Sequence, residues 1–335
     1  MHAWLAAVPE YTQFKATFVQ DITARRFKDS VKAYWIKRFH AFDAAAYRAA
    51  LNDATVGWII HGQPDYPAWL SEIADPPLIL YYKGCRETLK HRLFAVVGTR
   101  KPSVYGVKVT RDLCAGLLPV FTLVSGLADG IDHHVHQQSV QLNAPTIGVL
   151  AIGLDGMYPK KNAALAAAML DHQGVWLSEQ PLGVGPMAFR FPQRNRLISG
   201  LSEGVLVTEA GRYSGASITA HQAIEQNRNV YAVPGPITAP TSIGTHQLIQ
   251  EGAKLVHHVA DILSDYDIVT PSQDEPDILS GDEARILSCI GTQACSVDQL
   301  CAITGMPIAT LLHYISLLEL KGCVAKTQTG QYTRV

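Results

Sequence analysis

Six short apolar runs recur along the middle of the chain: Leu93–Val97, Phe121–Val124, Thr146–Ala151, Val175–Leu177, Gly204–Val207 and Val230–Val233. Helix-length segments separate them. A strand that is apolar on both faces must be covered on both, and parallel neighbours need long crossover connections, usually helices. The pattern therefore predicts an α/β fold: an extended Rossmann-like, doubly wound, mostly parallel sheet. Ligands of such sheets sit outside the carboxyl ends of the strands, near the point where strand order reverses. Function is expected in the turns that follow these runs.

The rest of the chain divides around this block. Residues 1–56 contain no glycine and space Phe14, Phe18, Ile22, Val31, Trp35, Phe39 and Phe42 as on helices, which predicts a small N-terminal helical module. Residues 57–263 form the α/β domain, with a further strand expected at Leu78–Tyr82 between turn signals. Residues 264–281 are rich in Asp, Ser, Pro and Glu and read as a linker. Three amphipathic segments follow, Asp282–Ile290, Ser296–Ile303 and Pro307–Leu320, and then a hairpin over 322–334, which together predict a C-terminal winged helix over 282–335.

Composition narrows the function classes. Hydrophobic residues make up 47% and charged residues 17% of 335 residues, and no apolar run approaches the ~20 residues needed to span a bilayer. With no basic region ahead of its first apolar patch, the start is unlike a secretory leader, so a cytoplasmic protein is expected. The six cysteines include no CxxC pair and read as buried thiols, with neither zinc nor disulfides indicated. Net charge is −1 overall, but +2 over residues 93–256 and −6 over residues 257–335. A polyanion must therefore be held by a local cluster of cations.

Such a cluster is visible in the strand-end turns. After the first run, Gly98-Thr-Arg-Lys-Pro-Ser103 places Arg100 beside a helix expected to begin near Ser103, where backbone N–H groups favour an anion. After the second, Ser125 and Gly126 offer hydroxyl and N–H donors. Asp132 and His136 lie one helical turn apart, but Asp132 is expected to cap the helix, and no metal is predicted. The third turn carries Lys160 and Lys161. Phe191-Pro-Gln-Arg-Asn-Arg196 brings Arg194, Asn195 and Arg196, and Glu209 to Ser217 again sets Gly and Ser at a helix start. Tyr158, Phe189, Phe191 and Tyr213 are candidates for stacking on bases. Neither GxGxxG nor a phosphate loop of the GxxxxGK[ST] kind occurs. Gly/Ser donors and cations without a nucleophile–base pair describe a groove for several phosphates, with no cofactor and no catalysis. If about five cations met five phosphates of a single strand, binding would fall with salt at a logarithmic slope of roughly −3.5.

With these motifs in this order, the chain resembles the DNA-processing protein A family (DprA, also called Smf). The likeness runs from Tyr66 to Val256. It is carried by Tyr66-Pro67, Asp75-Pro-Pro77, Val97-Gly-Thr-Arg-Lys-Pro-Ser103, Ser125-Gly-Leu-Ala-Asp-Gly-Ile-Asp132, Tyr158-Pro159, Phe191-Pro-Gln-Arg-Asn-Arg-Leu-Ile-Ser-Gly200, Thr208-Glu-Ala210 and Pro234-Gly235. The resemblance implies a homodimer that binds single-stranded DNA, protects incoming DNA in natural transformation and loads the RecA recombinase, without catalysis. It implies DNA contact by Arg100, by Lys160 or Lys161, and by Arg194 and Arg196. Two departures stand out: the glycine-free N-terminal region, and a candidate recognition helix, 307–320, with no Arg or Lys. The second favours protein contact over duplex reading.

Two other functions compete. Lysine-decarboxylase-like phosphoribohydrolases resemble this fold and use an acid near a glycine-rich turn, a part Glu209 would have to play. A transcription regulator would act through the winged helix.

Overall fold

The computed structural model describes residues 29–30, 32–33, 37, 43–268, 281–290, 295–320, 323–327 and 330–334. These form two compact units, dividing after Tyr266. The helical spacing read over residues 14–42 and most of the expected linker lie outside the described residues.

The first unit is built on nine strands: β1 Gly57–Ile60, β2 Ile79–Gly84, β3 Leu93–Val97, β4 Thr122–Ser125, β5 Thr146–Leu150, β6 Val175–Ser178, β7 Gly204–Val207, β8 Asn229–Ala232 and β9 Lys254–Leu255. Their order is β1-β2-β6-β5-β4-β3-β7-β8-β9. Strands β3 to β9 are parallel to one another, while β2 runs antiparallel between β1 and β6. From β3 the chain steps outward through β4 and β5 to β6. It then returns to lay β7 against the other flank of β3. Strand order reverses between β3 and β7, and a crevice must open there above the carboxyl ends.

Helices cover both faces. Val104–Leu117, Ile131–Gln141 and Ala163–Asp171 lie side by side in one group, and Arg190–Leu201, Gly215–Glu225 and Ile243–Gln250 in the other. Alternate residues of β3 serve the two layers, as the twofold repeat of a strand requires. Leu93, Ala95 and Val97 join the core that contains Leu197, Ile198 and Leu201. Phe94 points the other way, into an aromatic cluster with Phe121, Tyr231 and Tyr266. The Arg92 guanidinium stands 4.8 Å from the Phe121 ring centre.

Several boundaries differ from those read in the sequence. The described helix Ala44–Asp53 is capped by the Asp43 side chain, and its Leu51 packs with Val56, Ile79 and Tyr81 in a core of the first unit. Residues 264–266, expected in the linker, form a short 3-10 turn that brings Tyr266 into the aromatic cluster. Strand β4, from the second apolar run, ends on Ser125 rather than before it. Of the six cysteines only Cys114 is buried, the others being half-buried.

The second unit has helices Gly281–Cys289, Val297–Thr304 and Ile308–Leu320 and the antiparallel pair Val324–Lys326 and Tyr332–Arg334. Ser296 and Gln299 form a reciprocal cap at the second helix, which stops at Gly305 in the left-handed region. Ile286, Leu300, Leu311, Ile315, Leu318 and Tyr332 fill its core. This is the winged helix. Among the described residues, no single helix is long and apolar enough to cross a membrane.

One buried group gives the first unit a defined acid response. His136 is fully enclosed, its Nδ1 2.9 Å from the Thr146 hydroxyl and its Nε2 without a partner among the described residues. Burial, more than the nearby His133 and Arg194, pushes its pKa down to about 3. The unfolded chain therefore takes up this proton at about pH 6.5 and the folded chain does not. Stability from this group is full above about pH 6.5 and is lost as pH falls toward 3. His136→Gln, which does not titrate, is expected to lose less stability over that range in urea unfolding. Parallel pH curves for the two proteins would contradict the assignment.

Candidate functional site

The loops that follow β3, β6 and β7 enclose an open groove of about 750 Å³ at the strand-order reversal. Beside it lies a pocket of about 40 Å³, and Arg100, Tyr158, Phe191 and Arg194 line both.

Arg100 is presented by a tight loop. Gly98 is required there because a Cβ would sit 2.5 Å from Ile131. Ser103 then caps the helix Val104–Leu117, its hydroxyl accepting from Gly106 N. Arg100 is exposed, with its guanidinium carbon 5.5 Å from the Phe191 ring centre. Phe191 in turn lies 5.7 Å from Tyr158, which is 45% exposed. Across the groove stand Arg212 and Tyr213, both exposed, the tyrosine almost entirely. Among the described residues, neither Arg100 nor Arg212 has an acidic partner.

The arginines expected in a turn are instead on the helix Arg190–Leu201. Residues two apart on a helix project about 200° apart. Arg194 faces inward and is buried. It donates to the Gly126 and Val149 carbonyls, tying the ends of β4 and β5 together, and its Nε donates to Asn195. Burial pulls its pKa down to about 10 and the Asp132 charge opposes this, so it remains a cation at neutral pH. Arg196 faces the opposite side and pairs with Glu179 at 2.8 Å and Asp75 at 3.4 Å, away from both cavities. Asn195 lines the groove and donates to the Gly215 carbonyl.

The second turn departs further from expectation. Ser125 is fully buried and donates to the Val96 carbonyl, so its hydroxyl is spent inside the fold. Gly126 lines only the small pocket, and its N–H donates to Asp132 at 3.1 Å. Gly130 (φ 78°) precedes the helix at its cap position. Asp132 is not the cap but a first-turn residue turned back under Gly126. Burial raises the Asp132 pKa, an effect countered first by Arg194. Among the described residues, no cluster of acids, histidines and cysteines suits a metal ion.

Lys160 and Lys161 are exposed and line neither cavity, and Lys161 pairs with Asp129 at 3.1 Å. The structure thus gathers Arg100, Phe191, Arg194 and Asn195 around the groove. It leaves the lysines outside the lining and turns Arg196 away. Arg212 was the omission. Its signal is the turn Gly211-Arg-Tyr-Ser214, in which a glycine and an arginine precede a serine that caps a helix, as in Gly98-Thr-Arg-Lys-Pro-Ser103 after β3.

Glu209, the acid that the competing hydrolase reading requires, is also placed. The Glu209 side chain is buried and points away from the groove, accepting from Ser103 N at 2.9 Å, Ser103 Oγ at 2.6 Å and Thr241 Oγ1 at 2.9 Å.

Fold and site together define a class: a doubly wound α/β protein with an arginine- and aromatic-rimmed groove at its topological switch point, carrying a winged helix. The chain belongs to the DNA recombination-mediator protein A family, whose model matches residues 57–267, and the DprA winged helix domain matches residues 270–328. It is 39% identical over 281 residues to the protein Smf of Escherichia coli, covering 81% of this chain and 75% of that one. It is 38% identical over 267 residues to the DNA processing protein DprA of Bacillus subtilis, covering 78% and 88%. Among solved structures, that of DprA from Streptococcus pneumoniae matches with a TM-score of 0.67 at 37% identity, over 79% of this chain and 93% of that one. DprA from Helicobacter pylori, solved for its single-stranded DNA binding mode, matches with a TM-score of 0.57 at 26% identity, over 63% and 95%.

The buried Arg194 brace has a stability signature distinct from the rim. Arg194→Ala strips the charge from two carbonyls and leaves Asp132 buried without its cation, an expected loss of roughly 3–5 kcal/mol. A Cβ on Gly126 would lie 2.6 Å from Arg194 Nη2 and 2.7 Å from Asp132 Oδ2, so Gly126→Ala should cost about 1–3 kcal/mol. Arg100→Ala, on the surface, should stay within about 0.5 kcal/mol. Urea unfolding of the three variants checks this; equal losses at Arg100 and Arg194 would contradict it.

Proposed function

We propose that the switch-point groove binds single-stranded DNA and that the protein works as a non-catalytic recombination mediator. The observation that carries this reading is the exposed Arg100 guanidinium packed on Phe191 beside Tyr158, facing Arg212 and Tyr213 across an open groove. Cations at the groove supply sequence-independent attraction, and bare rings offer faces on which any base stacks. The groove is open rather than closed over its contents, which suits a strand entering and leaving. The relative from Helicobacter pylori, whose structure concerns its single-stranded DNA binding mode, supports the assignment.

The nucleotide-hydrolysing alternative needs the Glu209 carboxylate in the groove, whereas it is engaged behind the β3 loop. The regulator reading needs cations on the helix Ile308–Leu320, which has none. Within the family context, the further reading is a cytoplasmic homodimer that shields incoming DNA during natural transformation and hands it to RecA.

The cation count is smaller than the sequence suggested. Arg100, Arg194 and Arg212 reach the groove, so the salt slope for oligo-dT should be about −2 per site rather than −3.5, at ~0.7 per contact. Arg100→Ala and Arg212→Ala should each flatten it by about 0.7, and Lys160→Ala and Arg196→Ala should leave it unchanged. Phe191→Ala should weaken binding by roughly 1–3 kcal/mol with the slope intact. Fluorescence anisotropy across a salt series reads all of these. Unchanged slopes in both rim variants would sink the groove as the binding site.

A further inference from the structure

Asn162 holds the position from which an asparagine normally caps a helix. It ends the short turn Lys160–Asn162 and directly precedes the helix Ala163–Asp171, yet its side chain accepts no backbone N–H of that helix. The residue is 1% exposed. A buried primary amide has two donors and an acceptor to satisfy, and here all are spent far along the chain. Nδ2 donates to the Leu127 carbonyl at 2.9 Å and to the Ala128 carbonyl at 3.1 Å, and Oδ1 lies 3.0 Å from His133 Nδ1. Because the amide nitrogen faces two carbonyls, Oδ1 is the acceptor and His133 Nδ1 carries the proton.

These partners belong to a different loop. Leu127 and Ala128 follow β4, whereas Asn162 ends the connection after β5. Leu127 has a φ of 52°, a region that a leucine enters only at a cost, and its side chain is fully buried in the core with Leu154 and Met169. Ala128, the next residue, lines the groove and the small pocket, as Tyr158 does from the other loop. At the surface Lys161 and Asp129 pair across the same two loops, an exposed contact worth little. Of the two ties, the buried amide is the one that water does not weaken.

We propose that Asn162 is a positioning residue: it fixes the spacing between the β4 and β5 loops and thereby aims the Tyr158 ring beside Phe191, as a second stacking face of the groove. The aim of the ring rests on the DNA-binding reading above; the tie between the loops does not. Asn162 lines neither cavity and bears no charge. Its contribution therefore reaches affinity through the ring and leaves the salt dependence alone.

The test is a pair of double-mutant cycles on oligo-dT binding by the full chain, at a temperature where circular dichroism shows every variant folded. Asn162→Ala should weaken binding roughly tenfold, as Tyr158→Ala does, with the salt slope of the wild type. The two changes together should also cost roughly tenfold rather than roughly a hundredfold, because the first has already misplaced the ring that the second removes. Asn162→Ala combined with Arg212→Ala, across the groove, should instead give the product of the single losses. A residue needed only for stability would leave the affinity of the folded protein unchanged and show no such selectivity. Without DNA, hydrogen exchange in Asn162→Ala should be severalfold faster over residues 126–130 and 153–161 and unchanged over residues 211–217.

Should Asn162→Ala not fold, His133→Ala takes its place, since it removes only the donor that holds Oδ1. It should weaken binding by a smaller factor, with the same coupling to Tyr158. For whichever variant is used, losses that multiply with Tyr158→Ala, full oligo-dT affinity, equal coupling to Arg212, or exchange unchanged in the two loops would each overturn the proposal. If the wild type does not bind oligo-dT while exchange rises in the two loops as expected, the DNA reading fails and the tie stands.

Discussion

The reversal of strand order between β3 and β7 is the constraint on which the site depends. Parallel strands wound outward in both directions from one centre force their connecting helices onto opposite faces, and no connection crosses the gap above that centre. The loops after β3 and β7 are thereby splayed apart, and whatever they carry faces a common opening. In this chain they carry Arg100 and Arg212, each in a glycine-containing turn that ends in a serine capping the next helix. The returning helix Arg190–Leu201 closes one side of the opening and supplies Phe191 as the plate on which Arg100 rests.

Around this opening, charge is used in two ways. Arg194 is withdrawn from water and serves as a clasp between the carbonyls at the ends of β4 and β5, with Asp132 beneath it; its charge contributes to the floor of the groove but its donors are committed. Arg100 and Arg212 are solvated and, among the described residues, uncommitted to acids, which leaves them available to an incoming anion. Surface ion pairs are worth little in water, but they set where a side chain spends its time. Arg196 and Lys161 spend theirs on Glu179, Asp75 and Asp129. The protein is nearly neutral overall, so the attraction is local and should be sensitive to salt.

The architecture was legible because buried parallel strands leave an unmistakable trace. The six apolar runs fell on β3 to β8 to within about a residue at each end, and Ser103 announced its helix by capping chemistry. The winged helix was readable from three amphipathic segments and a hairpin. The direction of side chains was not legible. Arg194, Asn195 and Arg196 looked like one cationic cluster, and only the helix they lie on reveals that they face the floor, the rim and the far side. Ser125 looked like a donor at a turn because the strand was read one residue short; as the strand's last residue it turns into the core. Pairing of Lys161 with Asp129 joins residues far apart in sequence, and nothing local foretold it.

The central claim is that a single strand lies across the β3–β7 opening with phosphates at the arginine rim and bases on the exposed rings. A crystal structure of the full chain with a short oligo-dT tests it most directly. The account predicts a phosphate oxygen within hydrogen-bond distance of Arg100, a second near Arg212, and a base stacked on Phe191 or Tyr158. A strand held elsewhere on the molecule, with the opening between β3 and β7 unused, would contradict it.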